Sequence, residues 1–168
     1  MEYDFNNILQ KAKKGQYKQL GNGSCRIVFD LGGGSVAKIA KDIRGIDQNL
    51  NEYTIFQSHK SDLFAEVTAV SPDNRILIMA KADKVKNMRT VYRYYNVQNI
   101  SSLLKHGSFY QDINTYKLSR GDLVRPSSWG LINGIPMLID FGLTHGVFIK
   151  YYKNNLFNLR RFTQIKYT

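Results

Sequence analysis

Two aspartates, Asp122 and Asp140, lie in short segments whose residue types can carry out chemistry. Asp122 belongs to Ser119-Arg120-Gly121-Asp122-Leu123, and Asp140 belongs to Leu138-Ile139-Asp140-Phe141-Gly142-Leu143-Thr144. Between them, Asn133-Gly134 separates two apolar runs, which is the strongest short signal for a β-hairpin. Such a hairpin would bring both carboxylates to the same end of a site. One carboxylate that orients a hydroxyl and another that holds Mg²⁺ are the pair that phosphoryl transfer requires.

Two earlier segments could hold the phosphates of a nucleotide. Leu20-Gly21-Asn22-Gly23-Ser24 contains two glycines, and backbone N–H groups approach phosphate oxygens closely where side chains are absent. Lys38 lies inside the apolar strand Val36-Ala37-Lys38-Ile39-Ala40, where a lysine is costly to bury without a charged partner. Each pattern has a second interpretation. The glycines could form only a hairpin turn, and Lys38 could point to solvent from an alternating strand.

The order of these motifs along the chain resembles that of the protein-kinase-like superfamily, over about residues 16–147. The motifs are the glycine segment, the strand lysine, Gly121-Asp122-Leu123 and Asp140-Phe141-Gly142. The resemblance is to a minimal or truncated member, of the kind encoded by bacteria or phages, because little of the chain follows Thr144. It implies ATP and Mg²⁺ as cofactors. It also implies that Asp122 orients the acceptor, that Lys38 is catalytic, and that Asp140 binds the metal.

The same resemblance implies a set of nucleotide contacts. Gly21, Gly23 and Ser24 would cover the phosphates, and Lys38 would position them while paired with Glu52, the carboxylate in the body of the next helix. The segment Ile78-Met79-Ala80-Lys81-Ala82-Asp83 would be the hinge that reads adenine. The residues expected to bind the nucleotide are therefore Gly21, Gly23, Ser24, Lys38, Glu52, Met79 and Lys81.

The chain departs from the kinase pattern at three places. Arg26 stands where the third glycine of the loop is expected, and Arg120 stands where small-molecule phosphotransferases of the family have histidine. The asparagine that holds the second metal is replaced by Ser127 when residues are counted from Asp122, or by Ser128 when the alignment is made on Pro126. A serine hydroxyl is a weaker Mg²⁺ ligand than an amide carbonyl.

These residues would be positioned by an α+β fold of two lobes. Residues 1–83 are expected to form a small antiparallel sheet with hairpin turns at Gly32-Gly33-Gly34 and at residues 71–74. A helix is expected at 3–14 and another at 46–59, the latter with Ile46, Leu50 and Tyr53 on or near one face. Residues 84–168 are expected to form a reduced, mainly helical lobe. Its predicted helices cover 84–95, 97–105, 108–116 and a long stretch from 146 onward, and its strands cover 129–132 and 135–139. Trp129 is expected in the core.

The composition excludes several classes of protein. The 168 residues are 43% hydrophobic and 22% charged, as in an ordinary globular protein. A lone cysteine, Cys25, excludes an internal disulfide framework and favours a cytoplasmic location. No apolar run approaches the roughly 20 residues of a membrane span, so no membrane partner is expected, and the N-terminus lacks the regions of a signal peptide. The histidines, His59, His106 and His145, lack metal-ligand spacing.

Three functions remain open from the sequence. The first is an ATP-dependent phosphotransferase acting on protein Ser/Thr or on a small molecule. The second is a pseudokinase, a kinase-shaped module that binds a nucleotide or a protein partner without catalysis. The third is a basic structural or nucleic-acid-associated protein, because the net charge of +11 favours polyanionic partners, although no motif supports nucleic acid and a basic surface also serves solubility. Phosphoryl and nucleotidyl transfer are not distinguished.

Overall fold

The structure, a computed structural model, describes residues 3–58 and 61–153. This part of the chain has an α+β fold with a five-stranded antiparallel sheet, which confirms the predicted fold class at that level. Its helices are α1 Phe5–Lys13, α2 Ile43–Ser58, α3 Met88–Tyr94, α4 Ile100–Leu103, α5 Gly107–Thr115, α6 Arg120–Leu123 and α7 His145–Phe148. Its strands are β1 Lys18–Asn22, β2 Arg26–Gly32, β3 Ser35–Ala40, β4 Val67–Val70, β5 Ile76–Ala80, β6 Asp83–Lys84, β7 Trp129–Ile132 and β8 Ile135–Leu138.

The five-stranded sheet has the strand order β1-β2-β3-β5-β4, and each neighbouring pair is antiparallel. The predicted turns lie where expected. At Gly32-Gly33-Gly34 all three residues have positive φ, and glycine adopts that conformation without steric cost. In the Ser71–Asn74 turn, the Ser71 hydroxyl bonds to the Asp73 carboxylate at 2.6 Å. The turn chemistry thus explains why the predicted hairpins form.

Both faces of this sheet are covered. Helix α1, which begins after Asp4 with the Asp4 side chain accepting from the Asn7 N–H, packs Ile8 and Ala12 on one face. The other face contributes to a larger core that also takes side chains from residues 85–141. Because β3 and β5 are buried on both faces, they read as nearly continuous apolar runs, and Lys38 is the charged exception in β3.

Helix α2 departs from prediction in its start and in its buried face. It begins at Ile43 because the Asp42 carboxylate accepts from the N–H groups of Arg44 and Gly45 at 2.9 and 3.2 Å. Leu50, which the apolar spacing places on or near one face with Ile46 and Tyr53, is 41% exposed, whereas Ile46 and Tyr53 are half-buried. The buried positions are instead mostly small or polar, namely Gly45, Gln48, Asn49, Glu52 and Ile55. The helix turns this polar side toward charged residues of the sheet.

The second half contains a hairpin at the predicted place. In the β7–β8 turn, Asn133 and Gly134 have φ of 52° and 81°, the conformation that a two-residue Asn-Gly turn requires. Trp129 is buried, as predicted, and its indole N–H donates to the Leu123 carbonyl oxygen at 2.9 Å. The prediction that a helix begins at Lys84 was wrong. Residues 83–84 form β6, which pairs with β7, and α3 begins only after Asn87, whose side chain accepts from the Arg89 N–H.

The C-terminal part of the chain is described up to Lys153. Helix α7 continues into a π-helical turn at Ile149–Lys153, where the sequence predicts the start of a longer helix. The remainder of that predicted helix, and His59, lie outside the described residues. Among the described helices, none has the length and apolarity needed to cross a membrane.

Candidate active site

Glu52 is the centre of the candidate site. Its carboxylate is completely buried on α2 and receives the Lys38 ammonium from β3 at 2.7 Å. The contact between the strand lysine and the helix glutamate is therefore present. Burial alone would raise the pKa of Glu52, but the positive charges of Arg26 and Lys38 outweigh burial and lower that pKa to about 2. Glu52 is consequently a fixed negative charge at neutral pH.

Arg26 is the second cation at Glu52. Arg26 is 7% exposed, and its guanidinium contacts both oxygens of Glu52 at 3.0 Å, the Asn49 side-chain oxygen at 3.2 Å and the Asp140 carboxylate at 2.6 Å. Burial would lower the pKa of this guanidinium, but Glu52 and Asp140 outweigh burial and raise it. Burial has the larger effect on Lys38, whose pKa is lowered despite Glu52. Two buried cations, the buried Glu52 carboxylate and the half-exposed Asp140 carboxylate thus share one cluster.

The turn Asp140-Phe141-Gly142 is tied to Glu52 through its backbone. The N–H groups of Phe141 and Gly142 both donate to Glu52 Oε1 at 3.1 Å, and the Lys38 ammonium donates to the Ile139 carbonyl oxygen. A Cβ on Gly142 would lie 2.9 Å from the Gln48 carbonyl carbon, so only glycine allows α2 to approach this closely. Helix α2, β3 and the Asp140 turn therefore hold one another in position.

Asp122 lies in a segment that contacts the chain just after Asp140, because the Ser119 N–H donates to the Leu143 carbonyl oxygen at 3.1 Å. It is in the short helix α6, and its carboxylate is 3.5 Å from the exposed Arg125 guanidinium. Burial raises the pKa of Asp122, and the negative charge of Asp140 raises it further. The two carboxylates are thus close enough to sense each other's charge. That the two carboxylates act on one bound molecule stays a prediction.

The two serines considered as metal ligands differ in exposure. Ser127 is exposed, whereas Ser128 is buried and its carbonyl oxygen accepts from the Ile139 N–H at 2.9 Å. Ser128 therefore extends the β7–β8 pairing to the residue before Asp140. Whether either hydroxyl serves a metal stays a prediction.

The glycine segment forms the turn between β1 and β2, where the Gly23 N–H donates to the Arg26 carbonyl oxygen at 2.9 Å. Gly23 and Ser24 are exposed, and Gly21 is half-buried. A Cβ on Gly21 or Gly23 would meet only ordinary van der Waals contacts, at 3.8 and 3.5 Å. Protein packing therefore does not require glycine at these two positions, because a Cβ would fit there in ordinary contact.

The predicted hinge lies at the end of β5. The Met79 side chain is buried in the larger core. The Lys81 N–H donates to the Gly34 carbonyl oxygen at 2.8 Å, and the Lys81 ammonium pairs with Asp30 at 2.8 Å. Lys81 is thus bound to the β2–β3 hairpin. Adenine recognition by Met79 and Lys81 stays a prediction.

The Asp140 carboxylate is compatible with a Mg²⁺ ion that is bound together with a nucleotide. Within residues 3–58 and 61–153, no group of three or more His, Cys, Asp and Glu side chains is placed to hold a metal. Mg²⁺ that is bound with a nucleotide needs only one or two protein carboxylates, because phosphates and water supply the other oxygens. The Asp140 side chain is 49% exposed and can serve as such a ligand, although Arg26 already contacts it.

A segment after the Asp140 turn returns to α2. The Asp47 carboxylate of α2 accepts from the Lys150 ammonium at 2.5 Å and from the Tyr151 hydroxyl at 2.7 Å. The Asn51 amide donates to the Gly142 carbonyl oxygen at 3.1 Å and to the Thr144 hydroxyl at 3.2 Å. We call residues 142–153 the return segment. It connects the helix that carries Glu52 to the turn that carries Asp140.

From the sequence, Arg26 was identified only as the residue that replaces the third glycine of the loop. The β2–β3 register places Val28 opposite Lys38, so Arg26, two residues from Val28, lies on the same face and diagonal to Lys38. Counting the register back from the triple-glycine turn could have revealed this. The contacts of Asp47 and Asn51 had no comparable signal in the sequence.

A scan against protein-family models gives no match for the chain, and a search of the curated proteins finds no similar sequence.

Proposed function

We propose that the chain is a minimal kinase-like phosphotransferase. ATP with Mg²⁺ would bind between the glycine turn of the five-stranded sheet and the Asp140 turn. The γ-phosphoryl group would pass from ATP to a hydroxyl of a protein Ser/Thr or of a small molecule, leaving ADP. Asp122 would orient that hydroxyl and accept its proton.

The Glu52 cluster is the observation that carries this proposal. A buried glutamate that binds the Lys38 ammonium and the Phe141 and Gly142 N–H groups fixes a strand cation relative to the segment that carries Asp140. Buried charges are costly unless they are paired, and a purely structural core would be simpler if built from apolar residues. The cluster also adjoins the glycine turn, because the Gly23 N–H donates to the carbonyl oxygen of Arg26, and glycine turns suit phosphate binding.

Each chain group has a defined contribution within this proposal. Lys38 supplies a positive charge toward the phosphates while Glu52 keeps it in place. Mg²⁺ would neutralise charge that develops on the transferred group, with Asp140 as its protein ligand. The Asp122 carboxylate, which pairs with the exposed Arg125 and is hydrogen-bonded to the Ser119 side chain, would exchange these partners for an acceptor hydroxyl.

The pseudokinase alternative is favoured by one specific contact, the 2.6 Å ion pair between Arg26 and Asp140. This pair occupies the carboxylate that a catalytic metal requires. A chain that keeps the pair closed would bind a nucleotide through Lys38 and the glycine turn without transferring the phosphoryl group. The two functions differ in turnover, whereas both require nucleotide binding.

The test is calorimetric titration of ATP with Mg²⁺ into wild type, Asp140→Asn and Asp122→Asn, followed by measurement of label transfer from γ-labelled ATP. We expect wild type to bind ATP, Asp140→Asn to bind at least tenfold more weakly, and Asp122→Asn to bind normally but lose transfer. Asp62→Asn, the same change at an exposed residue, is the matched control. Binding without transfer in wild type would indicate a pseudokinase. The absence of ATP binding with and without Mg²⁺ would refute both functions.

A further inference from the structure

We propose that Arg26 is a built-in competitor of divalent cations at Asp140, so that a metal reaches this carboxylate only by displacing an arginine that the fold holds in place. The inference rests on the proposed function, in which Asp140 is the metal ligand. It assigns a role to a residue that stands where the kinase pattern expects glycine. That role is control over when the site accepts a metal.

Arg26 is held independently of Asp140. Its guanidinium also contacts Glu52 and Asn49. Asn49 is itself fixed, because its amide donates to the carbonyl oxygens of Lys38, Asn74 and Arg75 at 3.0–3.3 Å. Breaking the contact with Asp140 would therefore leave Arg26 in a position prepared by α2 and the sheet. The guanidinium would thus stay near Asp140 and continue to compete with a cation for its carboxylate.

Asp140 is the accessible member of the pair. Its side chain is 49% exposed, whereas the Arg26 side chain is 8% exposed. A cation from solvent therefore meets the carboxylate first, and it must replace a charged hydrogen bond of 2.6 Å, a short and strong type of contact.

The charge balance explains why a metal alone should bind poorly. Arg26 and Lys38 neutralise Glu52 and Asp140, so a divalent cation would add two uncompensated positive charges beside a buried guanidinium. Such charges repel strongly at short range inside a protein. A nucleotide brings the negative phosphates that remove this obstacle. The device thus makes metal entry depend on the nucleotide.

The experiment measures binding of Mn²⁺ alone by electron paramagnetic resonance, without nucleotide, so its outcome does not depend on whether ATP binds. Wild type, Arg26→Gln, Arg26→Lys and the double variant Arg26→Gln/Asp140→Asn are compared, with circular dichroism to establish folding. We expect Arg26→Gln to bind Mn²⁺ at least tenfold more tightly than wild type. Arg26→Lys keeps the positive charge and should stay within threefold of wild type. The double variant should lose the gain.

Equal Mn²⁺ affinity in wild type and Arg26→Gln, or a gain that survives Asp140→Asn, would overturn the inference. Asp140→Asn in the wild-type background gives a second test that does not require an Arg26 variant to fold. Because Arg26 already occupies the carboxylate, this change should alter Mn²⁺ affinity less than threefold. A tenfold loss would mean that Asp140 binds the metal freely, which also overturns the inference. Loss of ATP binding with Mn²⁺ behaviour as expected would refute only the proposed function.

Discussion

Replacing Glu52 with glutamine should destabilise the fold severely. The carboxylate is completely buried and its charge is shared by Lys38 at 2.7 Å and Arg26 at 3.0 Å. Glutamine keeps the shape and can still accept from the Phe141 and Gly142 N–H groups, but it leaves two buried cations with Asp140 as their only carboxylate in the cluster. Removing one partner of a buried ion pair costs about 3–5 kcal/mol.

The depressed pKa of Glu52 expresses the same pairing with Arg26 and Lys38. It falls from 4.5 to about 2 on folding, and each unit corresponds to about 1.4 kcal/mol, so the ionised form contributes about 3 kcal/mol. Because the folded pKa is depressed, this stabilisation is present above pH about 4.5 and is lost as the pH falls through about 2. The two magnitudes agree. Either is a large part of the 5–15 kcal/mol that typically stabilises a domain.

The assay is urea unfolding of wild type and Glu52→Gln between pH 7 and pH 2. The difference in unfolding free energy should be about 3–5 kcal/mol at pH 7 and should shrink below pH 4.5, since protonation removes the same charge from wild type. The control is Glu66→Gln, the same change at an exposed residue, expected within about 0.5 kcal/mol. A loss below about 1 kcal/mol at pH 7, or a difference independent of pH, would refute the reasoning.

Three further changes test other contacts by the same unfolding measurement. Gly142→Ala forces α2 away from the Asp140 turn and should cost about 2 kcal/mol or more of unfolding free energy. Gly146→Ala is the control and should cost little, because the nearest contact of its Cβ would be at 3.8 Å. Equal effects of the two changes would contradict the close approach of Gly142 to α2. Asp47→Asn removes the pairing with Lys150, so it should cost about 1 kcal/mol or less of unfolding free energy. It should also speed tryptic cleavage at Lys150 several-fold relative to Asp62→Asn. Unchanged cleavage would mean that Asp47 does not hold the return segment against α2. Tyr95→Phe deprives the Pro136 carbonyl oxygen of its 2.7 Å hydrogen bond and should cost about 1 kcal/mol, whereas Tyr94→Phe, at a half-exposed side chain, should be nearly neutral.

The sequence predicted the sheet well because its hairpins are encoded locally. Ser71–Asn74, the triple glycine and Asn133-Gly134 each carry the turn residues that fix the pairing of the strands on either side. The helices of the second half were less predictable. They are short, and their starts depend on single capping residues such as Asn87 and Asn99, which the apolar periodicity does not reveal.

The buried face of α2 could not be derived from periodicity, because that reasoning assumes an apolar core. The helix instead buries Asn49 and Glu52. Glu52 accepts hydrogen bonds from Phe141 and Gly142, which follow it by 89 and 90 positions in the sequence. The candidate site was predictable where a residue belongs to a motif, as for Lys38 and Asp140. It was not predictable where position depends on register or on distant pairing, as for Arg26.

The dependence of Glu52 on distant partners has a consequence for the order in which the chain can fold during its synthesis. Arg26, Lys38 and Glu52 leave the ribosome early, whereas Asp140 follows Arg26 by 114 residues. Until it emerges, a closed sheet and α2 would enclose an uncompensated positive charge, which is costly. We therefore expect the nascent sheet to stay hydrated and open to chaperones until residues 140–142 are available. Completion of the charge cluster would then coincide with completion of the fold.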